Sequence, residues 1–315
     1  MTSNILHITN GDCTTDQLQK ISIPGTLITW REMLCEGKTE VGVGDENFWK
    51  NRFEFLKTNF KVSKQQFIDK TLKEYRRLCN QQKQDEIVLW FDSDLFCQIN
   101  MIAVISWLKR YRKGRKISLV SCTSEEIPAN RFGFSALTND QVLEHYKSRT
   151  VLTEDDIAYA DYVWQLYCAD NPLKIEMAKT YQTNTTFKHL NTSLITHLKR
   201  FPSIENGLNA VENTILTAVS KQKFSSKDQL VKKLLSEQEV YGFGDLQYHK
   251  YLMDLKDYLR FSKSVSLTDT GKKVQQNLLH SYANMRNDFS FLGGAKKYNF
   301  LYDNSTNKLL KITTL

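Results

Sequence analysis

The chain has 315 residues, 41% hydrophobic and 25% charged, with only 4 prolines and 13 glycines; this excludes long linkers and a turn-dense all-β fold, and makes two domains the expectation. Lysine and arginine outnumber aspartate and glutamate 43 to 35, a net charge of +8 that favours anionic partners: nucleic acid, nucleotides or phosphorylated metabolites. No run approaches the roughly 18 apolar residues of a membrane span, residues 1–9 lack the pattern of a signal peptide, and six scattered cysteines without CxxC or Cys/His spacing fit a reducing cytoplasm.

Taken in chain order, NILHIT (4–9) reads as a first strand ending in the turn residues Asn10-Gly11-Asp12. Thr14 or Thr15 then caps a helix carrying Leu18 and Ile21. Pro24-Gly25 is a turn, and TLITW (26–30) is a second strand. Two helices follow, one capped by Asp45 and one by Ser63. EIVLWF (86–91) is continuously apolar, as strands buried on both faces are. Asp92-Ser93-Asp94 ends it and opens a helix over 95–111, before a last strand at 117–121. This strand–helix–strand rhythm predicts a Rossmann-like α/β domain with a mostly parallel sheet over 1–135.

Beyond about residue 135 the pattern turns helical. Thr138, Thr153 and Asn171 are expected caps for helices over 138–147, 153–169 and 172–182, and Pro202 stops a helix over 190–201. A connecting region (136–207) then gives way to helices over 209–221, 226–235 and 245–259, a strand of a small hairpin over 260–267, and a closing helix over 268–281. Three helices, a hairpin and a closing helix over 208–315 make a winged-helix-like unit, followed by a terminal β-hairpin at 298–302 and 309–313.

The segments HITNGD, LWFDSDLFCQINM, HLKRFPSIENGLNAVE, YGFGDLQYHKYLMDL and LGGAKKYNFLYD resemble, as a set, an uncharacterised bacterial family of paired domains of unknown function. The resemblance implies a bacterial cytosolic protein with an α/β front half and a winged-helix-like back half. It supplies no reaction. Family members often carry Gly-Asp-Ser where this chain has Gly11-Asp12-Cys13. An esterase that uses such a block also needs a late Asp-x-x-His, and Asp245 and His249 are one residue too far apart for that.

In open α/β sheets ligands bind beyond the carboxyl ends of the strands. There the sequence places Asn10, Asp12 and Cys13 after the first strand, Trp30, Arg31 and Glu32 after the second, and Asp92 and Asp94 after the third. The last strand contributes Ser121, Cys122 and Thr123. Converging carboxylates at Asp12, Asp92 and Asp94 are the expected catalytic groups. They would hold Mg²⁺ or Mn²⁺, which pair carboxylates with substrate phosphate. Asn10, Trp30, Arg31 and Glu32 are expected to bind ligand, with His197 and Arg200 closing over it. Each also has a structural reading: Asp12 or Asp94 as a helix cap, Trp30 as core, His197 and Arg200 as cations at a helix end.

Three functions follow from these residues. The first is binding, or metal-assisted turnover, of a phosphate-bearing small molecule. The second is a nucleic-acid-binding regulator using the winged helix, and the third a protein-interaction module. The expected third helix of that unit carries Asp245, Asp254 and Asp257 against His249, Lys250 and Lys256, a poor charge balance for DNA.

Overall fold

The computed structural model describes residues 4–122, 133–180 and 186–312. Thr123 and two expected element ends, Gln182 and Thr313, lie outside the described residues.

Strand β1 (Ile5–Asn10) turns at Gly11 into α1 (Asp12–Lys20), and β2 (Thr26–Trp30) returns beside it. A two-residue strand, β3 (Gly37–Lys38), precedes α2 (Glu46–Phe60). Helices α3 (Lys64–Phe67) and α4 (Lys73–Asn80) run on through a π-turn at Ile68–Leu72. Then come β4 (Glu86–Trp90), α5 (Leu95–Tyr111) and β5 (Lys116–Val120). They are followed by α6 (Asn139–Lys147), β6 (Thr150–Val151), α7 (Glu154–Tyr167), α8 (Ile175–Thr180) and α9 (Leu190–Leu198). The last third holds α10 (Ala210–Lys221), α11 (Lys227–Glu237), α12 (Asp245–Asp254), β7 (Leu259–Phe261), β8 (Val265–Leu267), α13 (Asp269–Gln275) and α14 (Tyr282–Met285). It closes with β9 (Phe291–Gly293), β10 (Ala295–Lys296), β11 (Phe300–Asp303) and β12 (Lys308–Lys311).

The main sheet has the order β2-β1-β4-β5-β6, with the first four strands parallel and β6 antiparallel at the edge. From β1 the chain moves outward to β2 and later returns to β4 on the other side, so the strand order reverses between β1 and β4. Strand β4 is buried along its whole length, as its unbroken apolar run requires. Its side chains alternate between two layers. Val88 and Trp90 pack with Leu18, Phe134 and Val142 on the side of α1 and α6. Ile87 and Leu89 face the larger core built around α5. Helix α5 is buried at every position from Cys97 to Leu108, because α7 and α9 pack against it as well as the sheet.

That larger core is continuous from Leu6 to Leu309 and takes in side chains of α10–α13. A three-stranded sheet ties the two ends of the chain: β3 pairs in parallel with β9, and β10 runs antiparallel to β9. Thr138, Thr153, Asn209 and Ser63 each form capping boxes, and Ser226 and Thr268 cap α11 and α13.

Several expected boundaries move. Helix α1 begins at Asp12, not beyond Thr14 or Thr15, because the Thr15 hydroxyl is engaged by Thr9 (2.6 Å) and Thr29 (2.7 Å) instead of capping. The helix expected over 245–259 ends at Asp254, and the one over 268–281 stops at Gln275, before Asn277 turns left-handed at φ 58°. The strands expected at 298–302 and 309–313 begin two and one residues away, at Phe300 and Lys308. Of the basic run 109–116, Arg112 and Arg115 are structural. They donate to the carbonyls of Leu78 and Cys79, and of Gln82 and Gln84.

Candidate functional site

At the reversal point β1 delivers Asn10 and β4 delivers Asp92 and Asp94. Asn10 donates to the Cys97 thiol (2.9 Å) and accepts from Asn100 (2.7 Å), and Asn100 also holds the backbone of Glu32 and Leu34. Asp94 caps α5, its carboxylate taking the amide of Cys97 (2.8 Å). Asp92 accepts from the Cys122 thiol (2.9 Å). Among the described residues no lysine or arginine comes within 4.0 Å of either carboxylate. Burial, and the charge of Asp94 beside it, push Asp92 up to about 7; burial raises Asp94 as well. One carboxylate oxygen from each and the Cys97 sulfur lie within 4.8 Å of one another. A thiol among the donors suits a softer cation than Mg²⁺, which takes oxygen ligands.

The N-terminus of α5 beside these carboxylates is covered by the protein itself. The Leu95 amide donates to the Val240 carbonyl (2.8 Å) and the Phe96 amide to that of Tyr241 (3.1 Å). Gly242 sits against Asp94 so closely that a Cβ there would lie 2.2 Å from the carboxyl carbon, and Gly133 covers Asp92 in the same way. The amides that would bind an anion are thus already paired.

The other expected site residues disperse. Asp12 and Arg31 form a surface ion pair (2.7 Å) at the start of α1. Trp30 is buried against Trp49. Glu32 is buried with Arg52 (2.9 Å), whose guanidinium also donates to the carbonyls of Met33 and Glu36 and so fixes the loop after β2. His197 packs between Tyr167 and Phe201. Neither ring nitrogen has a partner among the described residues, and burial, then nearby Arg200, hold its pKa well below the ordinary value. A neutral ring in that setting is not the helix-end cation expected from sequence.

Arg200 is buried as well. It donates to the Cys35 carbonyl (2.5 Å), pairs with Glu36, reaches the Tyr251 hydroxyl (3.4 Å) and stacks over Phe243 (5.3 Å). Its Nε has no partner among the described residues. This pair forms part of the floor of a cleft of about 940 Å³ lined by residues of β3, α2, α12, α14 and β9. The floor holds a second pair, Lys297 with Glu212 (3.1 Å), both side chains largely buried. Burial opposes the charge on Lys297 and on Arg200, but Glu212 and Glu36 outweigh it and keep both protonated. Burial raises the Tyr251 phenol. Higher up, Lys38, Lys250 and Lys256 face Glu54, Asp254 and Asp257, so the cleft as a whole is close to neutral.

Of this floor, sequence reasoning named Arg200 alone. Glu212 is visible as the fourth residue of the Asn209 capping box, but its second oxygen serves Lys297 instead of the helix. Glu36 and Lys297 follow no local pattern; β3 and β9 bring them together. No family model matches this chain, and no curated protein matches it.

Proposed function

We propose that the chain binds a polar small molecule bearing an anionic group, in the cleft floored by Arg200, Glu36, Tyr251, Glu212 and Lys297. The observation that carries the reading is the pair of buried ion pairs at the base of an open 940 Å³ cleft. Buried ion pairs add little to stability over apolar packing, so their place at a cavity floor favours a role in recognition. The buried Nε of Arg200 has no partner among the described residues. The loop after β2 contributes Glu36 to the lining; the strand-end residues Asn10, Asp92 and Asp94 do not line it.

The strand order, with its reversal at β1 and β4, supports reading the sheet as Rossmann-like. Helices α10–α12 with the β7–β8 hairpin support a winged-helix-like unit that serves as a packing module. Its third helix, α12, buries Gln247, Tyr248, Tyr251 and Leu252. Its remaining face sets Asp245 and Asp254 against His249 and Lys250, a charge balance that weighs against the nucleic-acid alternative. Six cysteines outside any disulfide, and no helix among the described residues long and apolar enough to cross a membrane, fit our reading of a cytoplasmic protein.

The test is a thermal-shift and calorimetric panel of nucleotides, sugar phosphates and short nucleic acids, with Thr58→Trp and Asp92→Ala in parallel. Thr58 lines the cleft and is exposed, so tryptophan there blocks it without touching the floor. A small-molecule ligand at a hundred times its Kd stabilises by about 2.7 kcal/mol. That shift is expected to vanish in Thr58→Trp and persist in Asp92→Ala. Loss in Asp92→Ala alone would return the site to the strand ends, and a salt-sensitive response confined to nucleic acid would overturn the proposal.

A further inference from the structure

A second concavity, of about 780 Å³, lies on the other side of Lys38 and Phe291, which line both clefts. Four lysines converge on it from four separate pieces of chain: Lys38 on β3, Lys174 in the turn before α8, Lys296 on β10 and Lys311 on β12. Two carboxylates face them, Glu40 and Asp170. Glu40 is already engaged by Lys38 (2.9 Å) and by the Asn51 amide (2.7 Å). Lys296 leans toward Asp288, which is not part of the lining, at 3.6 Å. Lys174 and Lys311 have no carboxylate within 4.0 Å among the described residues. The larger cleft has as many acidic as basic side chains; this one has a basic excess.

Like charges gathered in one concavity repel across distances shorter than the Debye length of about 8 Å in physiological salt. No helical or strand periodicity places these four together, since each arrives on its own element. A compact polyanion relieves the repulsion. Ammonium groups on flexible stems act as point charges that follow tetrahedral phosphate oxygens, and they do not demand the planar match that arginine makes with a carboxylate. The amide side chain of Asn299 adds a neutral donor group at the wall. The concavity has the volume of a small-molecule pocket, unlike the long basic stripe that tracks a nucleic-acid backbone.

We propose that this lysine cleft is a distinct binding site for a pyrophosphate group, carried free or as the diphosphate of a small molecule. It holds whether or not the larger cleft is occupied. The test is calorimetric titration of the full chain with inorganic pyrophosphate and with orthophosphate, at about 50 and 200 mM salt. The wild type is compared with Lys174→Ala/Lys311→Ala, with the control Lys64→Ala/Lys232→Ala, whose lysines are exposed and outside the cleft, and with Thr58→Trp. Circular dichroism checks that each variant is folded; the lysines replaced are exposed and make no ion pair among the described residues. The proposal expects pyrophosphate to bind more tightly than orthophosphate, the cleft double variant to lose at least tenfold in affinity, and the control and Thr58→Trp to bind like wild type. No binding by the wild type, an unchanged Kd in the cleft variant, or an equal loss in the control (diffuse surface charge alone) each overturns it. Titration with nucleoside mono-, di- and triphosphates then separates the two sources: binding that begins at the diphosphate means a carried group, and binding of free pyrophosphate alone means the ion itself.

Discussion

Replacing Asp92 with asparagine removes a charge that the fold is poorly arranged to hold. The carboxylate lies beside Asp94 with no cationic neighbour among the described residues, and its pKa is raised from 3.8 to about 7. An acid whose folded pKa is raised is ionised more readily in the unfolded chain. Its destabilising effect is absent below the unfolded pKa near 4, grows between pH 4 and 7, and stays constant above. Each unit corresponds to about 1.4 kcal/mol, so three units set a ceiling of about 4 kcal/mol. The side chain keeps partial solvent access, which cuts the expected value to about 2 kcal/mol. The asparagine amide accepts hydrogen bonds less well from Cys122, so the absolute stability of the variant carries a second contribution; the pH dependence of the difference isolates the charge. Urea unfolding of both proteins at pH 4, 6 and 8, with a chelator present, should show the variant gaining about 2 kcal/mol relative to wild type between pH 4 and 8. A difference that is flat across this range, or that moves the other way, refutes the assignment of an unpaired buried charge.

The opposite sign is expected at Glu86, held at about 2 by the bidentate Arg149, with help from Ser118. Its stabilisation is complete above about pH 4.5 and is lost as pH falls toward 2, so Glu86→Gln should lower stability by roughly 2–3 kcal/mol at pH 7 and much less in acid unfolding monitored at pH 2–3. Gly242→Ala should destabilise by about 1–3 kcal/mol in urea melts, since φ is +66° and the new methyl meets the Asp94 carboxyl group; the same cost in Gly114→Ala, where φ is also positive but nothing lies within 4 Å, would show that strain alone is responsible. Arg52→Ala leaves Glu32 buried without its cation and is expected to cost about 3–5 kcal/mol; a loss under 1 kcal/mol would mean that the loop after β2 stands without it.

The four parallel strands were legible because each is a short apolar or β-branched run bounded by turn residues, and the fully buried β4 is the most continuous of them. The caps at Ser63, Asp94, Thr138, Thr153, Asn171 and Thr268 were legible for the same reason: a cap is a local bargain between one side chain and an amide two or three residues on, although Asp45 precedes α2 without such a bond. Strands β3, β9 and β10 were not. Two or three residues such as Gly37-Lys38 carry no periodicity, and only their long-range pairing defines them. The strand-end residues Asn10, Asp92 and Asp94 do meet, as the topology of a parallel sheet demands. Their cover by Val240 and Tyr241 depends on contacts across the whole chain, which no local pattern records. Arg200 was visible as a cation near a helix end, but its partner Glu36 lies far away in sequence and is reached only through tertiary packing.

The pairing of β3 with β9 also fixes an order of events during synthesis. Gly37 leaves the ribosome well before its hydrogen-bonding neighbour Leu292, because most of the described structure lies between them in sequence. Strands β1, β2, β4 and β5 can assemble from nearby segments, whereas both clefts acquire their shared wall at Phe291 last. Contacts of such long separation close slowly. A nascent chain stalled before residue 290 would hold a sheet and no finished binding surface, so ligand occupancy would report synthesis past Phe291 instead of partial folding.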